Sequence, residues 1–254
     1  MSPLVTSLIA FAIIFAGAFI GMFMRQRLPG HHLSGDTKDV VRLGTGLIGT
    51  IAALVLGLLI SSANSSYQTQ SAEIEQLTAN VVLLDRTLAL YGPETNNIRA
   101  ILRKGVVTLA DRIWHENGSN ATRKGAPFVE SASAELLYEE VLKLTPQNES
   151  QRQLQSRAIE TVTDLGKARL LLFAKSAGSI PTPFLVVLVF WLTIIFISFS
   201  LFADMNATAI TALCVFALSA SASLFLILEL SQPFTGLMMI PSDSLRNALT
   251  SIAS

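Results

Sequence analysis

Residues 41–93 read VRLGTGLIGTIAALVLGLLISSANSSYQTQSAEIEQLTANVVLLDRTLALYGP, and two helical patterns follow one another in them without a break. The first part, 41–63, is almost wholly apolar. At about 1.5 Å per residue it is long enough to cross a hydrocarbon core of about 30 Å. The second part sets Ile74, Leu77, Val81, Leu84, Leu88 and Tyr91 at alternating steps of three and four, which makes one seam along a helix. No Gly or Pro occurs from 58 to 90, so the span is expected to leave the bilayer as a single long rod. Tyr91-Gly92-Pro93 ends it, because Gly accepts the left-handed conformation after a helix and Pro cannot continue the ladder.

Three more stretches, 4–24, 183–203 and 207–230, reach the same length and apolarity. The first has no basic segment before it and is too long for the apolar part of a signal peptide, so it is expected to be a retained helix. Of 254 residues, 51% are hydrophobic and only 14% charged, too few charges for an ordinary soluble surface. The expected fold is therefore all-α: four transmembrane helices with a helical, water-exposed insert between the second and third. The expected divisions are 1–63, 64–181 and 182–254. The insert holds thirteen of the eighteen Lys and Arg.

After the rod, a helix is expected from about 94 to 115 with an apolar face of Ile98, Leu102, Val106, Leu109 and Ile113. Turn-forming residues from Glu116 through Pro127 read as a loop. Helices at about 129–144 and 146–176 follow, the latter capped by Thr145 with Pro146 in its first turn. Such stripes are satisfied either in a bundle of the insert's own helices or against copies of the chain. An even number of crossings puts both termini and the insert on one side. The first loop, with Arg25, Arg27, Lys38 and Arg42, and the tight Asp204-Met205-Asn206 turn lie on the other. The density of basic residues favours a cytoplasmic first loop and an insert outside the cytoplasm.

Zero net charge and dispersed basic residues leave no footprint for nucleic acid. The single cysteine, Cys214, falls inside the fourth apolar stretch and points to no disulfide. His31, His32 and His115 lack metal-ligand companions, with only Asp36 and Asp39 near the first two, so no metal site is expected. The sequence has no phosphate-binding loop, dinucleotide fingerprint or catalytic elbow, so no enzyme activity and no cofactor are expected.

Thr45, Gly49, Ala53, Gly57, Ser61 and Ser65 recur every fourth residue along span two. Small residues at this spacing allow another backbone to approach closely, within one subunit or between copies. Alternatively, Gly49, Ala53, Gly57, Ser61, Asn64, Ser65 and Gln68 line a central aqueous path in an oligomer, with Glu73 and Glu75 at its mouth giving a preference for cations. In span four, Ser219, Ser221 and Ser223 are followed by Glu229, read as a solvated carboxylate at the membrane surface. Gln232-Pro233-Phe234-Thr235-Gly236 makes a fixed turn, after which Leu237-Met238-Met239-Ile240 can return to the membrane surface or meet another subunit.

Four motifs give the chain a relative. Leu84-Asp85-Arg86-Thr87-Leu88-Ala89-Leu90-Tyr91-Gly92-Pro93-Glu94 with Arg99-Ala100-Ile101-Leu102-Arg103 resembles the bestrophin-like bacterial membrane family. Gly46-Leu47-Ile48 through Gly57-Leu58, Arg112-Ile113-Trp114 and Gln232-Pro233-Phe234-Thr235-Gly236 extend the resemblance over nearly the whole chain. The resemblance implies a homopentameric ion channel in the bacterial inner membrane, with the second helix lining the pore and with cytosolic termini and insert. That orientation opposes the one favoured by charge density. Two departures stand out. The bulky apolar neck of bestrophins is matched here by Gly49, Ala53, Gly57 and Ser61, and the acidic calcium clasp of animal bestrophins has no counterpart.

The expected function is thus a multi-pass, self-associating ion channel whose partners are inorganic ions, lipid and its own copies. A membrane-anchored sensor whose insert binds a ligand or partner is the alternative.

Overall fold

The computed structural model describes residues 2–29, 35–115, 132–176, 181–203 and 206–252. His31, His32, the expected loop at 116–127 and Asp204-Met205 of the expected turn lie outside them, as does the side chain of His115. The chain is all-α in these residues. Its helices are α1 (Pro3–Arg27), α2 (Gly35–Tyr91), α3 (Asn96–His115), α4 (Ala132–Leu142), α5 (Glu149–Ser176), α6 (Thr182–Phe202), α7 (Ala207–Leu230) and α8 (Asp243–Ile252). Four of them, α1, α2, α6 and α7, are long and apolar enough to cross a membrane. The rod expected from the unbroken pattern is present as the 57-residue α2.

Contacts divide the chain into two compact units, one of Met1–Ser66 with Ser179–Ser231 and one of Tyr67–Gly178 with Gln232–Ser254. The C-terminal segment after α7 thus groups with the insert.

In the membrane unit, Ile14, Ala18 and Met22 of α1 pack with Phe196 of α6 and with Leu213 and Ala217 of α7. Ala10, Ala52, Leu188 and Leu224 form a second cluster that ties α2 to the other three. α1 and α6 approach each other closely at two glycines. A Cβ on Gly17 would stand 2.8 Å from Thr193 Cγ2, and one on Gly21 would collide with the Ile197 carbonyl oxygen. This is small-xxx-small packing, in span one rather than span two. The Ser221 hydroxyl crosses from α7 to donate to the Ser7 carbonyl of α1 at 2.6 Å, which satisfies a buried polar group inside the span. Arg25 near the end of α1 donates to the Ala203 carbonyl that closes α6. The Asn206 side chain accepts from Ala209 N at 2.7 Å and starts α7.

In the second unit, the seam of α2 does what its spacing implies. Ile74, Leu77, Val81, Leu84, Leu88 and Tyr91 are all buried, and all but Tyr91 share one core with Ile98, Leu102, Val106 and Ile113 of α3, Val141 of α4, Val162 of α5 and Leu245 of α8. The stripes are therefore met by the unit's own helices. Leu109 is only partly buried.

Two expected helix starts shift. A single 3₁₀ turn, Pro93–Thr95, precedes α3. The Thr95 hydroxyl, fully buried, donates to the carbonyls of Leu88 and Gly92 at 2.6 and 2.8 Å and occupies acceptors that the end of α2 leaves open. The second shift is at α5, which begins at Glu149 rather than at Pro146. Asn148 is the cap, its Oδ1 accepting from Gln151 N at 2.8 Å, so the expected cap at Thr145 is corrected. Gln151 then donates to the Tyr91 carbonyl at 3.0 Å, tying α5 to the turn after α2.

The Asp85–Arg99 pair locks α2 to α3. Arg99 Nε and Nη2 reach the two Asp85 oxygens at 2.7 and 2.9 Å, a bidentate geometry. The carboxylate raises the Arg99 pKa above its usual value through this hydrogen bond, against the opposing effect of burial. Asp85 is the more buried partner at 7% side-chain exposure against 26% for Arg99. Asp85→Ala strands a guanidinium that can still reach water, so the cost is about 2 kcal/mol, less than for a fully buried pair. A drop of about 4–8 °C in the unfolding midpoint checks this.

Tyr91 is the opposite case. Its hydroxyl is buried with no hydrogen-bond partner among the described residues, and burial first, then the nearby Glu94 carboxylate, push its pKa up. Tyr91→Phe removes a desolvated polar group and is expected to raise stability by about 1 kcal/mol. The raised pKa adds a pH dependence. Its contribution is fully present below the ordinary value near 10 and is lost as pH rises through the folded value, so the Tyr91→Phe chain should lose less stability in alkaline titration.

Candidate functional site

The second span is the least covered of the four. Of its most apolar window 11% is buried within the chain, against 33%, 22% and 28% for α1, α6 and α7. Its covered side is the line of Thr45, Ala52 and Ala63.

At about 100° per residue, a four-residue step advances about 40° around the helix, so residues at every fourth position do not stay on one face. Thr45, at one end of the set, is buried, and Ser65, at the other, is exposed. Gly49 is half-buried, with Ile195 Cδ1 of α6 4.0 Å from its would-be Cβ. A straight face needs mixed steps of three and four. Gly46, Thr50, Ala53, Gly57, Ser61, Asn64 and Gln68 follow that rule, and every one of them is exposed. A Cβ on Gly46 or Gly57 would meet nothing within 4 Å. Beside this stripe runs a second exposed one of Leu43, Leu47, Leu54 and Leu58, each at least 64% exposed.

The expected site residues therefore separate. Ala53, Gly57, Ser61, Asn64 and Gln68 share the exposed small and polar stripe, while Gly49 and Ser65 lie off it on either side by about 80°. Gly46 and Thr50 belong to it and were missed, although the signal, period 3.6 rather than 4, was in the sequence. Of the two acidic residues, Glu75 continues the stripe and is exposed. Glu73 is half-buried and faces about 160° away from it. Glu75 also borders an open groove with Thr78, Ala79, Val82, Leu83, Arg86 and Ser244.

In span four, Ser221 serves packing through the hydrogen bond described above, while Ser223 Oγ makes a local bond within α7 to the Ser219 carbonyl at 3.0 Å. The reading of Glu229 as a solvated carboxylate is corrected. It is 3% exposed, covered by the chain's own residues rather than open to water. The Gln232–Gly236 turn forms, with Thr235 N donating to the Gln232 carbonyl at 3.1 Å and Gly236 at φ 90°. Phe234 meets Trp114 edge to face at 6.1 Å between centroids, and Trp114 Nε1 donates to the Ile240 carbonyl at 2.9 Å. Leu237, Met238 and Met239 stay exposed, while Ile240 is buried. Among the described residues, no group of three or more His, Cys, Asp or Glu comes together as metal ligands would.

This arrangement has solved counterparts. A bacterial bestrophin homologue from Klebsiella pneumoniae aligns at TM-score 0.65 and 16% identity, over 96% of this chain and 95% of that one. Two single-residue variants of it align at TM-score 0.69 with 15% identity, over 99% and 96%, and at 0.65 with 16% identity, over 97% and 96%. At these identities the likeness concerns the fold. No curated protein matches the sequence. The model of the bestrophin-like domain matches residues 12–245, which takes in the later part of the first span, the other three spans and the whole insert. The chain belongs to the bestrophin-like family.

Proposed function

We propose that the protein is an ion channel of the bacterial plasma membrane, built from several copies that surround an aqueous path lined by α2. The observation that carries this reading is the stripe Gly46, Thr50, Ala53, Gly57, Ser61, Asn64 and Gln68, exposed along a helix long enough to span the bilayer. Hydroxyl and amide side chains and bare glycine backbone are poor company for lipid, where nothing satisfies their polar groups. Leucines, by contrast, suit lipid or a neighbouring subunit, and they occupy the adjacent stripe. Facing the small and polar stripe inward, onto water shared by the copies, satisfies both surfaces at once. Family membership supports the same reading, and a homopentamer is the assembly the family implies.

Glu75 at the water-exposed continuation of the stripe supports a preference for cations, since a ring of carboxylates raises their local concentration. Glu73, turned away, has no part in it. The test is recording from the purified protein in a planar bilayer under asymmetric salt. The expected result is a conductance with a reversal potential on the cation side, shifted toward zero by Glu75→Gln. A protein that is monomeric in detergent and passes no current under any ionic gradient overturns the proposal.

A further inference from the structure

The segment after α7 has a base that packing explains and a tip that packing does not. Pro233 and Ile240 form the base, Ile240 N donating to the Pro233 carbonyl at 2.7 Å, and both residues are buried. The base is held to α3 twice, by the bond from Trp114 Nε1 to the Ile240 carbonyl at 2.9 Å and by the edge-to-face contact of Phe234 with the Trp114 ring. Gly236, at φ 90°, takes the left-handed conformation that turns the chain outward between the two ends of the base. The residues that follow it are Leu237, Met238 and Met239. Leu237 is 83% exposed, and both methionines are exposed as well. Three large apolar side chains in a row, displayed on a base fixed at both ends, are the reverse of what an ordinary water-facing loop carries.

We infer that the tip Leu237-Met238-Met239 inserts into the boundary between lipid headgroups and acyl chains, on the side of the membrane where α7 ends. Chain length allows it. Ser231 is the C-cap of α7, and the stretch from it to Leu237 reaches at most about 20 Å. Charge favours lipid over a protein partner. No Asp, Glu, Lys, Arg or His occurs from 230 to 242, between Glu229 and Asp243. Contacts between proteins keep a polar rim around an apolar centre, whereas a tip with no charge of its own enters the lipid boundary with little to desolvate. Methionine suits that boundary further, because its unbranched thioether adapts to a fluid neighbour. With no basic residue in the segment, insertion draws on apolar burial alone and needs no anionic lipid. Through Phe234 and Trp114, the inserted tip fastens α3 to the membrane surface.

The experiment places a nitroxide spin label at Met238→Cys or Met239→Cys, in a Cys214→Ser background, with the full-length protein in phosphatidylcholine vesicles. Both positions are exposed, so the label displaces no core side chain. Collisions with molecular oxygen, which concentrates in lipid, are compared with collisions with a neutral nickel chelate, which stays in water. The ratio of oxygen to nickel collisions should be several-fold higher at both tip positions than at Lys104→Cys, an exposed position of α3. It should not change when phosphatidylglycerol replaces part of the phosphatidylcholine. A ratio at the tip equal to that at Lys104→Cys overturns the inference, because the tip then stands in water. Shielding of the tip from both reagents overturns it too, since protein, a second copy or another partner, then covers the site. A high ratio seen only with phosphatidylglycerol present overturns the apolar basis of the contact.

Discussion

Gly57→Leu should abolish most of the current while leaving the folded subunit intact. A Cβ at Gly57 would meet nothing within 4 Å, so the chain itself offers no clash. In a helix interior, leucine is favoured over glycine by about 1 kcal/mol, so the unfolding midpoint should not fall. A leucine on each copy at one level of a shared path narrows it from every side, and the conductance should drop by about an order of magnitude or more. The combined readout separates the two uses of a small-residue stripe. Were Gly57 packed against a neighbouring backbone, the same substitution would break the oligomer, and the change would appear in its size as well as in the current. Native mass in detergent, measured beside the conductance, distinguishes these outcomes.

Gly21→Leu should do the reverse, destroying the fold with no direct bearing on the path. A Cβ there runs into the Ile197 carbonyl and stands 2.9 Å from Ser200 Cβ, so α1 and α6 must move apart. Backbone cannot turn aside as a flexible side chain can. The cost is about 3 kcal/mol or more, the upper end for overpacking, and it falls on the helix pair that holds the membrane unit together. Loss of the folded fraction and proteolysis of the remainder are expected, checked by the yield of monodisperse protein. Gly17→Ala should be milder, since Thr193 Cγ2 at 2.8 Å belongs to a side chain that can adjust.

The pair of glycines shows why part of the structure was readable and part was not. Length and apolarity are properties of one segment, so the four spans, the continuous rod and the α2 seam could be read from the chain alone. Small residues at a spacing of four are equally plain in α1 and α2, but what they mean depends on the neighbour opposite. Gly17 and Gly21 face α6 at close range, whereas among the described residues nothing comes within 4 Å of a Cβ on Gly57. The same limit explains Glu229, which stands where a helix leaves the bilayer yet is buried by neighbours. For Asn148 the difficulty was competition. Thr145-Pro146 and Asn148 both qualify as helix starts, and the bond from Gln151 N selects the latter. The exposed stripe of α2 was legible in part. Ala53, Gly57, Ser61, Asn64, Gln68 and Glu75 fall on one exposed face, but a strict period of four drew in Gly49 and Ser65 and passed over Gly46 and Thr50.

The central claim is that the stripe faces water inside an assembled protein. Accessibility of single cysteines tests it most directly, in a Cys214→Ser background that removes the one native thiol. Gly57→Cys, Ser61→Cys and Asn64→Cys should each react with a charged, membrane-impermeant methanethiosulfonate and lose current on reaction, while Leu54→Cys and Leu58→Cys, on the adjacent stripe, should not react. Equal protection of all five positions, or reaction at the leucine positions in place of the small ones, would contradict an aqueous path along α2.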